Sequence, residues 1–524
     1  MNSLTVVLAG LIIVLIFGLG VYGRRVLAAT DKRSMGLPIG LQNLQPLLRQ
    51  RYLVLAEPVA FATIELAKRP SLTLNLQSAS VRISRQEGLT EAHLSANFPS
   101  RWSIADGVIL EMSELEVDPF AENCRLVKLS QVPLAQAESV ERSRIRLGED
   151  CVYIDDEPVQ LIGGDQVLEL VLPADYRGDL SVVNGGSGSV VFVDKHSGGD
   201  LSLVSECGDY SGAEIDVCNL LVECSDSAAV RFTVVAAADL DVCMEDGNFG
   251  ADSLTVSGSS RIRFTGSGDL DVPHLKAASA TLTLDESSYT NVTLGTVAAP
   301  SFVVNNDGQG EIGMEKVDSE QCSLSLGAAA GNLQADSVNA GVFDFSVAGN
   351  GDLTVKKLVA SISATFRMDD GSYCNLQIDE LAGGALDLQS EGSGDMTLPQ
   401  VQAASFKGVA TNGAAFTFGT VTIDGRFEAE QHENGTSRLQ SLKAATTSLY
   451  CADLGSFEVA YLDTDLALLK SEGDYGIDVE AGRIGSLQAA ALSCGDIKVQ
   501  AEVVNWKVSE SDSGTVTIKD RTFD

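Results

Sequence analysis

Between Tyr52 and Asn184 apolar and polar residues alternate in short runs, among them VAFATIEL, SLTLNLQ, SVRISRQ, CVYIDDEPVQLI and QVLELVLP. Successive side chains of an extended chain point to opposite faces, so this period of two predicts half-buried strands, and the Gly and Pro between runs predict turns. The first residues follow another pattern. Leu4–Gly23 (LTVVLAGLIIVLIFGLGVYG) is an unbroken run of 20 uncharged residues, about 30 Å long as a helix, the thickness of a bilayer core. It predicts a single membrane-spanning anchor. Only Asn2 and Ser3 precede it and Arg24-Arg25 follow at once, unlike the basic start and small-residue cleavage site of a signal peptide. Residues 36–50 suit a short interfacial helix or a simple linker.

Past Asn184 the alternation acquires a longer period. Gly-x-Gly followed by an acid recurs as GSGD, GQGE, GNGD and GSGD, with second glycines Gly268, Gly310, Gly351 and Gly394 and acids Asp269, Glu311, Asp352 and Asp395. These glycines lie 42, 41 and 43 residues apart, and seven residues after each comes Leu275, Val317, Leu358 or Val401. Midway runs a second series, Asn248, Asn291, Asn332 and Asn375, each followed by Phe249, Val292, Leu333 or Leu376.

The economical reading is a parallel β-helix of coils of about 21 residues in two alternating kinds. Fifteen or 16 coils at about 4.8 Å each would give roughly 75 Å. Equivalent positions stack in such a fold, so a column of Gly turns and a separate Asn ladder are expected. The Gly would supply positive φ or a tight bend, and the Asp would cap backbone N–H groups. A β-propeller is the alternative, because 42 residues with four strands is also blade-sized. The predicted organisation is an anchor (1–25), a basic juxtamembrane linker (26–51), a β-rich capping region (52–184) and the repeat domain (185–524).

Composition narrows the function. A net charge of −36 repels phosphate backbones, which excludes nucleic acid as a partner; an acidic surface also keeps stacked strands soluble. The ten cysteines show no CxxC and no zinc or iron–sulfur spacing. They read as buried small hydrophobes or as disulfides, with Cys124–Cys151 and pairings among Cys207, Cys218, Cys224 and Cys243 the plausible ones.

The Gly-Asp turns, with the lead-in LELVLPADYRGDLSVVNGGSGSVVF (Leu168–Phe192), resemble the adhesin-like β-helical domains of bacterial cell-envelope proteins, the putative auto-transporter adhesin head (GIN) family and its DUF4097-type relatives. The resemblance covers about residues 55–515. It implies an extracytoplasmic right-handed β-helix in the cell envelope, engaged in adhesion and without catalytic residues. The positive-inside rule implies the opposite side of the membrane, since Arg24, Arg25, Lys32, Arg33, Arg49 and Arg51 all follow the apolar run.

For chemistry, calcium is the nearest idea, because Asp269, Glu311, Asp352 and Asp395 recur beside tight Gly turns. Yet Ca²⁺ needs six to eight oxygens, and acids on alternate coils stand about 9–10 Å apart, too far for one ion. No catalytic set and no other cofactor motif stands out. A β-helical lyase or hydrolase would need carboxylates in a groove with aromatic platforms, and aromatics are only 6%. The expectation is a non-catalytic, membrane-anchored, adhesin-like solenoid with a protein or polysaccharide surface partner. The alternatives are a scaffold self-associating through solenoid contacts and a carbohydrate-binding or carbohydrate-active β-helix.

Overall fold

The computed structural model describes residues 58–112 with short breaks, strand segments between 124 and 160, and residues 167–523 except 512. Leu4–Gly23 lies outside the described residues, and among those described no helix is long and apolar enough to cross a membrane. The described residues are all-β, and the chain divides into two compact units, one of residues up to 68 with 79–174 and the other of residues 69–78 with 175–524.

The first unit is built mainly from antiparallel pairs. Glu91–Ala96 lies between Val59–Glu65 and Val167–Pro173, antiparallel to both, and Val167–Pro173 pairs in parallel with Ser80–Gln86. Arg101–Ala105 and Val108–Met112 form a hairpin whose turn, Asp106-Gly107, has φ of 50° and 84°. Two positive φ values in a two-residue loop match the strand twist, and Asp-Gly adopts them at little cost. Trp102 is fully buried and stacks on Phe61 at 6.0 Å. Ile145–Leu147, Cys151–Ile154 and Glu157–Gln160 make a separate three-stranded antiparallel sheet.

The second unit is a parallel β-solenoid of about 17 turns. Each coil pairs in parallel with the next, from 210–224 with 228–244 through to 482–491 with 502–511. Propeller blades are antiparallel, so that alternative is not supported.

Three flat sides can be read in each coil. In Asp395–Ala410 burial alternates except at 399–400 and 404–405, where two consecutive residues escape burial. Each break flips the phase of the pleat and marks a corner. The first side starts after the Gly-rich turn, the second after Pro399, and the third at Ser405. Along the interior like positions stack: Leu270, Val292, Ile312, Leu333, Leu353, Leu376, Met396 and Phe416 form one column, each at most 2% exposed. Burying each such side chain is worth about 1.5–3 kcal/mol, the main force closing the stack.

The second unit takes in residues 69–78 and 175–524, and its Asp179–Asn184 strand pairs in parallel with Ser71–Leu76, drawn from about a hundred residues upstream. The expected cysteine pairings among Cys207, Cys218, Cys224 and Cys243 are not made; all four are free thiols, as are Cys322, Cys374, Cys451 and Cys494. Cys224 and Cys243 stand at consecutive register positions of neighbouring coils, so the pleat sends their sulfurs to opposite faces. The side chains of Cys124 and Cys151 lie outside the described residues.

Candidate functional site

The two sequence series, expected as separate columns, occupy one. Strand register places Asn248, Asp269, Asn291, Glu311, Asn332, Asp352, Asn375 and Asp395 directly above one another, at the first position of the first side. Amide and carboxylate therefore alternate at every step.

Six of these eight side chains, all but Glu311 and Asp395, bond to the following coil. The Asp269 N–H donates to Asn248 Oδ1 at 2.8 Å, Asp352 N–H to Asn332 Oδ1 at 3.1 Å, Asn375 N–H to Asp352 Oδ1 at 2.8 Å, and Asp395 N–H to Asn375 Oδ1 at 3.3 Å. Asn291 and Asn375 also donate from Nδ2 to the carboxylates of Asp269 and Asp352 at 3.4 and 3.2 Å. An amide can give a proton to the acid on one side and accept from a backbone N–H on the other. A second carboxylate in its place could still accept the backbone N–H but would repel the acid it faces. The column thus terminates corner N–H groups, and among the described residues no three His, Cys, Asp or Glu side chains gather as a metal would require.

The glycines serve the same corner for a reason other than positive φ. Gly268, Gly310, Gly351 and Gly394 are absent from the glycines with positive φ. A Cβ on Gly268, Gly310 or Gly394 would instead stand 1.7 Å from the carbonyl oxygen of Gly247, Thr290 or Cys374, and one on Gly351 2.7 Å from that of Gly331. Close approach of successive coils excludes a side chain here.

Among the described residues, two of the grooves on the solenoid's outer surface are well defined. One, about 680 Å³, is floored by Ala277, Ala278, Ala299 and Pro300 and edged by Lys276 and Asp318. Of its two acids, Asp318 and Glu320, the first is already engaged: Lys316 Nζ lies 2.6 Å from Asp318 and, with Asn339, holds that carboxyl below its usual range.

The other, about 730 Å³, runs over five successive coils beside the first corner. Pro399, Gly419, Gln440, Ala460 and Glu480 follow the corner, and Thr397, Thr417, Arg438, Glu458 and Asp478 stand in register on the first side. Gly419 is required, because a Cβ there would lie 2.3 Å from the Pro399 carbonyl oxygen. Arg438 Nε binds Glu458 Oε2 at 2.9 Å, and Lys498 is next in register after Asp478. Sequence reasoning missed this groove, since its residues belong to the weakly repetitive stretch after Gly435 and share no motif. Only register, two residues beyond the acid–amide column, brings them together.

The far end of the solenoid is partly closed. Val516–Ile518 turns back through Arg521–Phe523 as an antiparallel hairpin. Trp506 pairs in register with Leu487 on the last full coil and is 40% exposed, with the Arg521 guanidinium 5.2 Å above its ring. The preceding strand, Glu502–Ser511, pairs on one edge alone among the described residues.

Comparison with protein-family models, characterised proteins and solved structures finds no match to this chain. The chemistry of the surface therefore stands on its own.

Proposed function

We propose that the protein is a membrane-tethered, non-catalytic binding solenoid, adhesin-like in its mode of action. The observation that carries this reading is the five-coil groove, whose polar side chains are laid out at regular register on a rigid stack rather than converging on one point. The tether rests on Leu4–Gly23 and the adhesin character on the Gly-Asp turn pattern.

The test uses the full-length chain reconstituted in liposomes. Protein-bearing vesicles should adhere to immobilised cell-surface material more than bare vesicles do, and equal adhesion would end this reading. The side of the membrane is decided separately. Cys218 and Cys494 are exposed free thiols, so a membrane-impermeant maleimide added to intact cells labels them only if the solenoid faces outward. The free thiols and the basic residues after the apolar run favour the cytoplasmic face; the family resemblance favours the outside.

A second reading, a scaffold built by end-to-end association, draws on the one-sided pairing of Glu502–Ser511, where Val504 is 61% exposed. Unpaired strand edges template intermolecular pairing. Concentration-dependent oligomers in sedimentation velocity, abolished by Val504→Lys, would support it.

A further inference from the structure

We propose that the groove beside the first corner binds a neutral glycan chain, lying along the stack axis with a span of about four sugar residues. This deepens the binding role proposed above and rests on it. Three observations point to that ligand class.

The first is length. The wall residues Thr397, Thr417, Arg438, Glu458 and Asp478 are five in-register positions, and four steps of about 4.8 Å span about 19 Å. A linear oligosaccharide advances about as far per residue as the solenoid does per coil, so hydroxyls of successive sugars meet successive coils.

The second is unspent hydrogen-bonding capacity. Among the described residues the side chains of Thr397, Thr417, Gln440, Asp478 and Glu480 have no protein partner, and Arg438 uses only Nε on Glu458. Hydroxyls, an amide, carboxylates and guanidinium N–H groups together offer donors and acceptors, as a polyhydroxylated ligand requires. Beside them Tyr461, next in the chain after Ala460, is 45% exposed. It stands between Ser441 and Ala481 in register, small neighbours that leave its ring open as a stacking platform.

The third is charge. The turns joining the third side to the first carry acids and no Lys or Arg from Glu206 to Asp496. The groove's wall column, by contrast, runs Thr, Thr, Arg, Glu, Asp, Lys through Lys498. With Glu480 the groove sets Arg438 and Lys498 against three acids, Glu458, Asp478 and Glu480; on a molecule of net charge −36 this disfavours a polyanion and offers a polycation only a weak, interrupted field.

The test is isothermal titration of the full-length protein in detergent with five tetrasaccharide probes. Cellotetraose, maltotetraose and tetra-N-acetylchitotetraose are neutral; chitosan tetramer is cationic and tetragalacturonate anionic. At least one neutral probe should bind with an affinity unchanged by added salt. Tyr461→Ala and Asp478→Ala should each weaken it by about tenfold, the size of one lost stacking or charge-assisted contact. Gln334→Ala, exposed on the same side outside the groove, should not change it. Asp478 in the groove and Tyr461 beside it are both exposed, and circular dichroism on each variant separates lost binding from lost fold. Salt-sensitive binding of a charged probe alone, or neutral binding indifferent to both groove variants, overturns the proposal. Vesicle adhesion without any neutral-glycan binding overturns the glycan groove and leaves the broader binding role standing.

Discussion

Burial pushes the thiols of Cys224, Cys322 and Cys374 up to about 12, because an apolar core disfavours the thiolate. In the native protein at pH 8 these three should resist alkylation, while Cys218 and Cys494 react at once; mass spectrometry after timed iodoacetamide labelling checks this, and fast labelling of Cys322 would contradict the packing described. The glycines are as site-specific. Gly310→Ala places a Cβ 1.7 Å from the Thr290 carbonyl oxygen, whereas the nearest atom to a Cβ on Gly313 is 3.7 Å away. The first should cost about 1–3 kcal/mol or more in chemical denaturation, as overpacking of a closed structure does, and the second well under that. Sequence showed which glycines matter, but positive φ, one of the two causes it suggested, is not the reason. Their recurrence is visible in one dimension; the carbonyl they must avoid belongs to the preceding coil.

At the scale of the coil, the strands, the period of about 21 residues and the parallel stacking were legible, because burial on one face imposes alternation and stacking imposes repetition. The single acid–amide column was not. The Gly-Asp and Asn motifs look unlike each other in sequence, and only the pairing of Asp269 with Asn291 shows them to be one position. That geometry makes Asn375→Asp informative. It would set carboxylates on three consecutive coils, replace the Nδ2 donor to Asp352 with an acceptor, and destabilise by about 1–2 kcal/mol. The loss should shrink in 1 M salt, which screens charges beyond about 3 Å. Asn375→Ala, which removes the donor without adding charge, should lack the salt response, and guanidine-free urea melts at two salt concentrations separate the cases.

Across the whole molecule the charge sets the response to conditions. Salt should raise the stability of a chain of net charge −36 near neutral pH by relieving self-repulsion. Acid acts on specific groups. The Thr515 hydroxyl and N–H hold Asp496 low, the Ser259 N–H and hydroxyl hold Asp239 low, and the Lys470 ammonium and Tyr450 hydroxyl hold Glu472 low. A carboxylate depressed on folding adds stability above its unfolded pKa of about 4, and that stability is lost as pH falls through the lower folded value. Melting temperature should therefore hold down to about pH 4 and fall below it, and Asp496→Asn should flatten that fall. The end of the stack is a second global control. Deleting 514–524 removes the hairpin and Arg521 from above Trp506, so size-exclusion chromatography with light scattering should show association through the exposed final coil.

The acid–amide column also constrains how such a chain can change length. From Asp209 to Thr515 no two acids are neighbours in it; where the alternation lapses, Ala415, Thr436, Ser456 and Gly476 intervene. Excising one coil between Asp269 and Asp395 would set two carboxylates, or two amides, face to face. Excising two would leave the order intact. The backbone repeats every coil, but the charge has parity, so the smallest unit that can be duplicated or lost without penalty is the pair.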